Sequence, residues 1–171
     1  FEPRFSLIIS NQLVVGSSVS FPEGSVSVNP PPGDDDKYAK GTVVTLTAKP
    51  APGYGLKSWA GTSNDTANPA TLTVNSDKHV TATFEPRFLL TINNQTITGS
   101  STNFSGGSVS LNPATGADAR YAKDTAVMLT ASPAAGYRFD HWEGDVSGNI
   151  TAATITMSSG KNVTAIFKKV Y

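Results

Sequence analysis

Thr42-Val43-Val44-Thr45-Leu46-Thr47-Ala48 decides the fold, and it returns 83 positions later as Thr125-Ala126-Val127-Met128-Leu129-Thr130-Ala131. In an extended chain Val44, Leu46 and Ala48 fall on one side, and Val43, Thr45 and Thr47 on the other. The second copy keeps Val127, Leu129 and Ala131 in place, while Val43 gives way to Ala126 and Thr45 to Met128. Constraint on one face with drift on the other marks a strand buried on one side.

The same spacing organises the whole chain. Phe1-Glu2-Pro3-Arg4-Phe5 returns as Phe84-Glu85-Pro86-Arg87-Phe88, and Gly24-Ser25-Val26-Ser27 as Gly107-Ser108-Val109-Ser110. Tyr38-Ala39-Lys40 returns as Tyr121-Ala122-Lys123, and Gly53-Tyr54 as Gly136-Tyr137. A fixed internal period is the sequence signature of a repeat architecture. The spacing divides the chain into two modules, 1–84 with its core from about residue 5, and 85–171 with its core from about 88 to 167. Phe1 corresponds to Phe84 and Phe167, and Tyr171 to Phe5 and Phe88, so the chain reads as a two-unit excerpt of a longer array. Glu85-Pro86-Arg87 reads as a short, stiff joint, with a fixed relative orientation of the units expected.

Composition narrows the function classes. Charged residues make up 15% of the chain and cancel to a net charge of zero. That leaves no electrostatic footprint for nucleic acid or an anionic membrane surface. No apolar run approaches the length of a membrane helix, so no membrane insertion is expected. The chain has no cysteine, which removes disulfides, thiolate metal sites and cysteine nucleophiles. Thr, Ser, Val, Gly and Asn dominate and favour strands and turns.

Within one unit the strand signals follow in order. Phe5-x-Leu7-x-Ile9 alternates, as does Phe88-x-Leu90-x-Ile92. A short strand spans 24–29, stopped by Pro30-Pro31-Pro32-Gly33. The central strand spans 42–48, and another ends at Trp59-Ala60-Gly61. A polar loop covers 62–69, and strands follow at 70–74 and 80–84. Residues 34–40 could form one turn of helix. Residues 11–23 and 94–106 read as long loops between the first strands, with Phe21 and Phe104 as loop anchors.

This order of motifs resembles the divergent internalin-type B repeat of bacterial surface and secreted proteins. The residues that carry the resemblance are Gly24-Ser25-Val26, Tyr38, Gly41-Thr42, Thr47-Ala48, Pro50, Gly53-Tyr54, Trp59-Ala60-Gly61 and Val80-Thr81-Ala82-x-Phe84. In the second copy Gly136-Tyr137-Arg138-Phe139 and Trp142-Glu143-Gly144 lie closer to the pattern. Departures are Leu56, where the pattern has an aromatic, and Asp124, where it has glycine. The loops at 11–23 and 94–106 stand outside the resemblance. It implies small all-β modules of a β-grasp-like type with little or no helix, and no catalytic residues or cofactor. It also implies a spacer, adhesion or accessory role in a secreted or cell-surface bacterial protein. The implied partners are neighbouring domains of the same polypeptide and a cell-surface or polysaccharide ligand.

The alternative function is a carbohydrate-binding accessory module of a polysaccharide-degrading enzyme. Its candidate residues are Tyr38, Tyr121, Trp59 and Trp142, because exposed aromatic faces stack on sugar rings. Each is read first as a core residue, and Tyr38 and Tyr121, beside long polar loops, are the pair that comes nearest to exposure. Exposure decides between the two readings. Asp34-Asp35-Asp36 and Asp145-Val146-Ser147-Gly148-Asn149 offer oxygen ligands of the calcium type. The first lacks further converging ligands and the second a closing bidentate carboxylate, so neither is expected to hold metal. His79 and His141 stand at non-equivalent positions, which disfavours a shared catalytic site. Asn64, Asn94, Asn103, Asn149 and Asn162 open Asn-x-Ser/Thr triplets of the number expected in so Asn- and Thr-rich a chain.

Overall fold

The computed structural model describes residues 1–10, 12–93, 95–96, 99 and 101–171. Asn94, and Ser100 in the second long loop, lie outside the described residues. The chain divides into two compact units, Phe1–Pro86 and Arg87–Tyr171. Among the described residues the regular structure is strand throughout, so the protein is all-β.

In the first unit the strands are β1 (Arg4–Phe5), β2 (Leu7–Ile9), β3 (Gln12–Leu13), β4 (Ser18–Phe21), β5 (Gly24–Asn29), β6 (Tyr38–Ala39), β7 (Thr42–Pro50), β8 (Tyr54–Ala60) and β9 (Ala70–Val74). The opening residues of β10 (Lys78–Ile92) complete it. One layer is the antiparallel sheet β4-β5-β7-β9. In the other, β10 runs parallel to β2 and antiparallel to β8, while β3 extends β2. The pair β1–β6 sits apart, with Phe5 opposite Tyr38.

The alternating pattern decides what meets between the layers. Val26, Val28, Val44, Leu46, Leu72 and Val74 come from the first sheet. Leu7, Ile9, Trp59 and Val80 come from the second, and all join one buried cluster. Opposing sheets that hide one face each leave Thr and Ser on the other, as with exposed Ser27, Thr47, Thr71 and Thr73.

The second unit repeats the plan. The later part of β10 pairs with β11 (Gln95–Thr96), with β14 (Arg120–Ala122) and in parallel with β18 (Lys161–Lys169). β16 (Tyr137–Gly144) pairs antiparallel with β18. The facing sheet runs β12 (Ser101–Phe104), β13 (Gly107–Asn112), β15 (Ala126–Pro133), β17 (Ala152–Thr156). Leu90, Ile92, Val109, Leu111, Val127, Leu129, Trp142 and Val163 form its core.

Local details differ from the sequence reading in three places. Residues 12–23 and the described part of 94–106 are not plain loops: they contain β3 and β4, and β11 and β12, with β4 and β12 forming hairpins with β5 and β13. Polar Ser18 and Ser20 alternate with buried Val19, a pattern too short to stand out beside Gly16-Ser17-Ser18. Residues 34–40 hold a turn rather than helix, closed by the Gly33 amide on the Lys37 carbonyl at 3.0 Å. Glu85, Pro86 and Arg87 all lie inside β10: Pro86 is in register with Tyr54, and Arg87 with Ala122.

Two positions explain motif letters. Gly61 and Gly144, the glycines of Trp-x-Gly, sit at φ +85° and +93°. A Cβ at either would collide with the backbone carbonyl of His79 or Asn162, so the strand can leave the tryptophan only through glycine. Asp124 replaces Gly41 and keeps its left-handed backbone, with φ +64° against +84°. Aspartate is among the few residues that tolerate this region.

Candidate functional site

The four aromatic candidates lie inside the cores. Trp59 and Trp142 are each 2% exposed, and Tyr38 and Tyr121 each 3%. Tyr38 and Tyr121 are core residues as much as the tryptophans are. Each tyrosine sits on a short strand, β6 or β14, opposite Phe5 or Phe88, and that pairing turns the ring inward.

The polar tips are satisfied by backbone, as buried Tyr and Trp require. The Tyr38 hydroxyl donates to the Pro30 carbonyl at 3.2 Å, and Tyr121 donates to Pro113 at 2.8 Å. Burial pushes both phenols up to about 12. Trp59 Nε1 donates to Ala67 at 2.8 Å, and Trp142 Nε1 to Ile150 at 2.9 Å. Each indole thereby ties the loop that follows it to the core. Each of the four rings is thus buried and bonded at its polar tip.

The acidic stretches are already engaged. Asp35 pairs with Arg4 at 2.9 Å and accepts from the Lys37 amide at 3.3 Å. Asp145 accepts from the Asn162 amide at 2.7 Å and faces Lys161 at 3.6 Å. Among the described residues no three His, Asp or Glu side chains gather as a metal site.

One cluster was not singled out in the sequence. Asp140 is the extra residue of a β-bulge between β16 and β18, where Phe139 opposes Phe167 and His141 opposes Ile166. Its carboxylate meets Lys168 at 2.7 Å, His141 Nδ1 at 2.8 Å and Arg138 at 3.2 Å. His141 Nε2 meets Glu143 at 2.9 Å. Both imidazole nitrogens can donate to carboxylates only in the protonated ring. The hydrogen bonds to Glu143 and then Asp140 raise the His141 pKa above its ordinary value. The hydrogen bonds from Lys168 and His141 lower that of Asp140. The matching bulge of the first unit places Lys57 near Glu85 at 3.9 Å. The bulge was hidden because it depends on which residue β18 leaves unpaired, which no local pattern reports.

A groove of about 390 Å³ opens in the second unit, lined by Trp142, Val146, Ile150, Ala152, Ala153 and Thr154 among others. It lies between the loop at 145–150 and the edge strand β17. Ala153 is half-buried there, whereas its counterpart Ala70 is 1% exposed.

A family model described as the divergent InlB B-repeat domain matches residues 18–87 and 94–171. The match takes in β4 and the whole of the second long loop, both left outside the sequence resemblance. No curated protein sequence and no solved structure matches the chain significantly.

Proposed function

This chain belongs to the divergent InlB B-repeat family, and from that premise we propose that it serves as a spacer and adhesion module of a larger bacterial surface or secreted protein. Repeats of this type are non-catalytic modules that mediate protein–protein contacts and are typically extracellular or surface-associated. The proposed partners are neighbouring domains of the same polypeptide and a ligand at the cell surface.

The observation that carries this reading is the duplication of the interior. Tyr38 and Tyr121, and Trp59 and Trp142, make the same bonds to equivalent backbone carbonyls. Every aromatic the two units share at these positions supports a core. A unit that closes its own core can be added in series without changing its neighbours, which is what a spacer needs.

The test places the chain between a surface anchor and a reporter domain on a bacterial cell. Reporter access to a bulky probe is expected to rise when the chain is present. An unrelated β-module of matching size is expected to restore that access equally, whereas cell adhesion is not. Deletion of the chain with no change in access or adhesion would overturn the reading.

A further inference from the structure

The two units treat one sheet edge differently. In the first unit β9 is the outer strand, and the Thr71 carbonyl faces away from β7. That carbonyl accepts from the Ser63 amide at 3.3 Å and from the Ser63 hydroxyl at 3.1 Å. The opposite edge is covered too, since Gln12 Nε2 donates to the Ser20 carbonyl of β4 at 3.3 Å. Such covers protect an edge from pairing with another chain.

In the second unit the cover over the last strand is gone. Thr154 is in register with Met128 as Thr71 is with Thr45, so its carbonyl faces outward in the same way. Position 63 becomes Val146, whose side chain cannot donate and instead packs on the core. Among the described residues none donates to the Thr154 carbonyl. The groove lies between the Val146 loop and the strand. β17 itself, Ala152-Ala153-Thr154-Ile155-Thr156, has no charge and no proline to discourage pairing.

We propose that this edge is an interaction surface for a second copy of the chain, joined β17 to β17 antiparallel about a two-fold axis. This goes beyond the spacer role and does not depend on it. The edge is self-complementary at its centre: with Thr154 opposite Thr154, the outward N–H and carbonyl of each meet those of the other, while the Thr156 carbonyl already accepts from the Ser158 amide at 3.0 Å. Two copies of an uncharged strand bring no like charges together at the axis. Ile150, 72% exposed on the groove's rim, supplies apolar cover beside the new ladder. The first unit shows the chemistry the site accepts, a backbone amide and a hydroxyl on that carbonyl, both of which a threonine strand carries.

Sedimentation equilibrium of the whole chain tests this. A reversible monomer–dimer equilibrium is expected. Thr154→Lys sets two ammonium groups face to face at the axis and is expected to abolish the dimer while leaving the melting curve in place. Val146→Ser restores the cover seen in the first unit and is expected to weaken the dimer, and it decides the matter if Thr154→Lys does not fold. A monomer even at millimolar concentration overturns the proposal. So does a dimer unaffected by either folded variant, or a monomeric chain whose edge instead takes up an uncharged peptide.

Discussion

At the first bulge Lys57 faces Glu85; at the second, Asp140 faces Lys168, the same two positions with the charges exchanged. A few residues away, nothing has been exchanged at all. Trp59 and Trp142 donate to equivalent carbonyls at 2.8 and 2.9 Å. Arg4 and Arg87, though partly exposed, also keep their partners Asp35 and Asp118, since each guanidinium reaches a backbone carbonyl as well, at Lys37 and Arg120. Interior groups are held by shape and by the cost of an unpaired polar atom, so one solution persists. At the bulge only complementarity is required, and either polarity supplies it. Ser10 and Asn93 fall between these cases. Both sit at positive φ and both bond the amide and carbonyl of the next strand, at Ala82 and Ala165, with different chemistry.

The contrast can be broken most forcefully at the tryptophans. Trp59→Ala is expected to cost the first unit about 3–5 kcal/mol, and Trp142→Ala the second unit the same. Each loss should remove one unit's transition in a thermal melt followed by amide exchange. Loss of both transitions from either single change would end the claim of two separate cores.

Tyr38→Phe and Tyr121→Phe probe matched hydrogen bonds, and each is expected to destabilise its unit by about 1 kcal/mol. Denaturant titration should give similar values for the two. A large inequality would mean that equal geometry hides unequal strain. Asp124→Gly is expected to stabilise the second unit by up to about 1 kcal/mol, since glycine enters the left-handed region without steric cost. Gly41→Asp should destabilise the first unit by a similar amount, measured the same way.

The bulges give the smallest effects and the sharpest contrast. Lys168→Glu should lower the second unit's midpoint, and adding Asp140→Lys should recover part of the loss by reproducing the polarity of Lys57 and Glu85. The pH dependence should differ between units. His141 is held above its ordinary 6.5, so its stabilising contribution is complete below that pH and fades as pH rises through the raised value. Asp140 is held below 3.8, so its contribution is present above that pH and fades as pH falls through the lowered value. The second unit therefore gains from both between pH 3.8 and 6.5. The first unit, with Lys57-Ser58-Trp59-Ala60 at these positions, carries no such pair. Melting midpoints of the two units should diverge as pH falls from 8 to 6, and parallel curves would refute the pairing.

Much of this fold was legible because its main signals are local. Val44, Leu46 and Ala48, and Val80, Ala82 and Phe84, declare their inward face by alternation alone, and all lie in or against the core. The Trp-x-Gly spacing was legible as a pattern, though its cause, the approach of the His79 or Asn162 carbonyl, required the neighbouring strand. Tyr38 and Tyr121 were the least legible of the four aromatics, because polar loops lie beside them. Their burial depends on pairing with β1 and β10, more than 30 residues away in sequence. The charge exchange was invisible for the same reason, since only the register shows that 57 faces 85. The covered and uncovered edges depended on single side chains, Ser63 and Val146, whose roles appear only beside the strand they reach.

The shared aromatics build the two cores. Trp59 and Trp142 are the chain's only tryptophans, so fluorescence reports on that claim without substitution. A blue-shifted emission is expected, with weak quenching by acrylamide and no change when soluble polysaccharide is added. Efficient quenching of either indole, with a saturable change on adding polysaccharide, would contradict it.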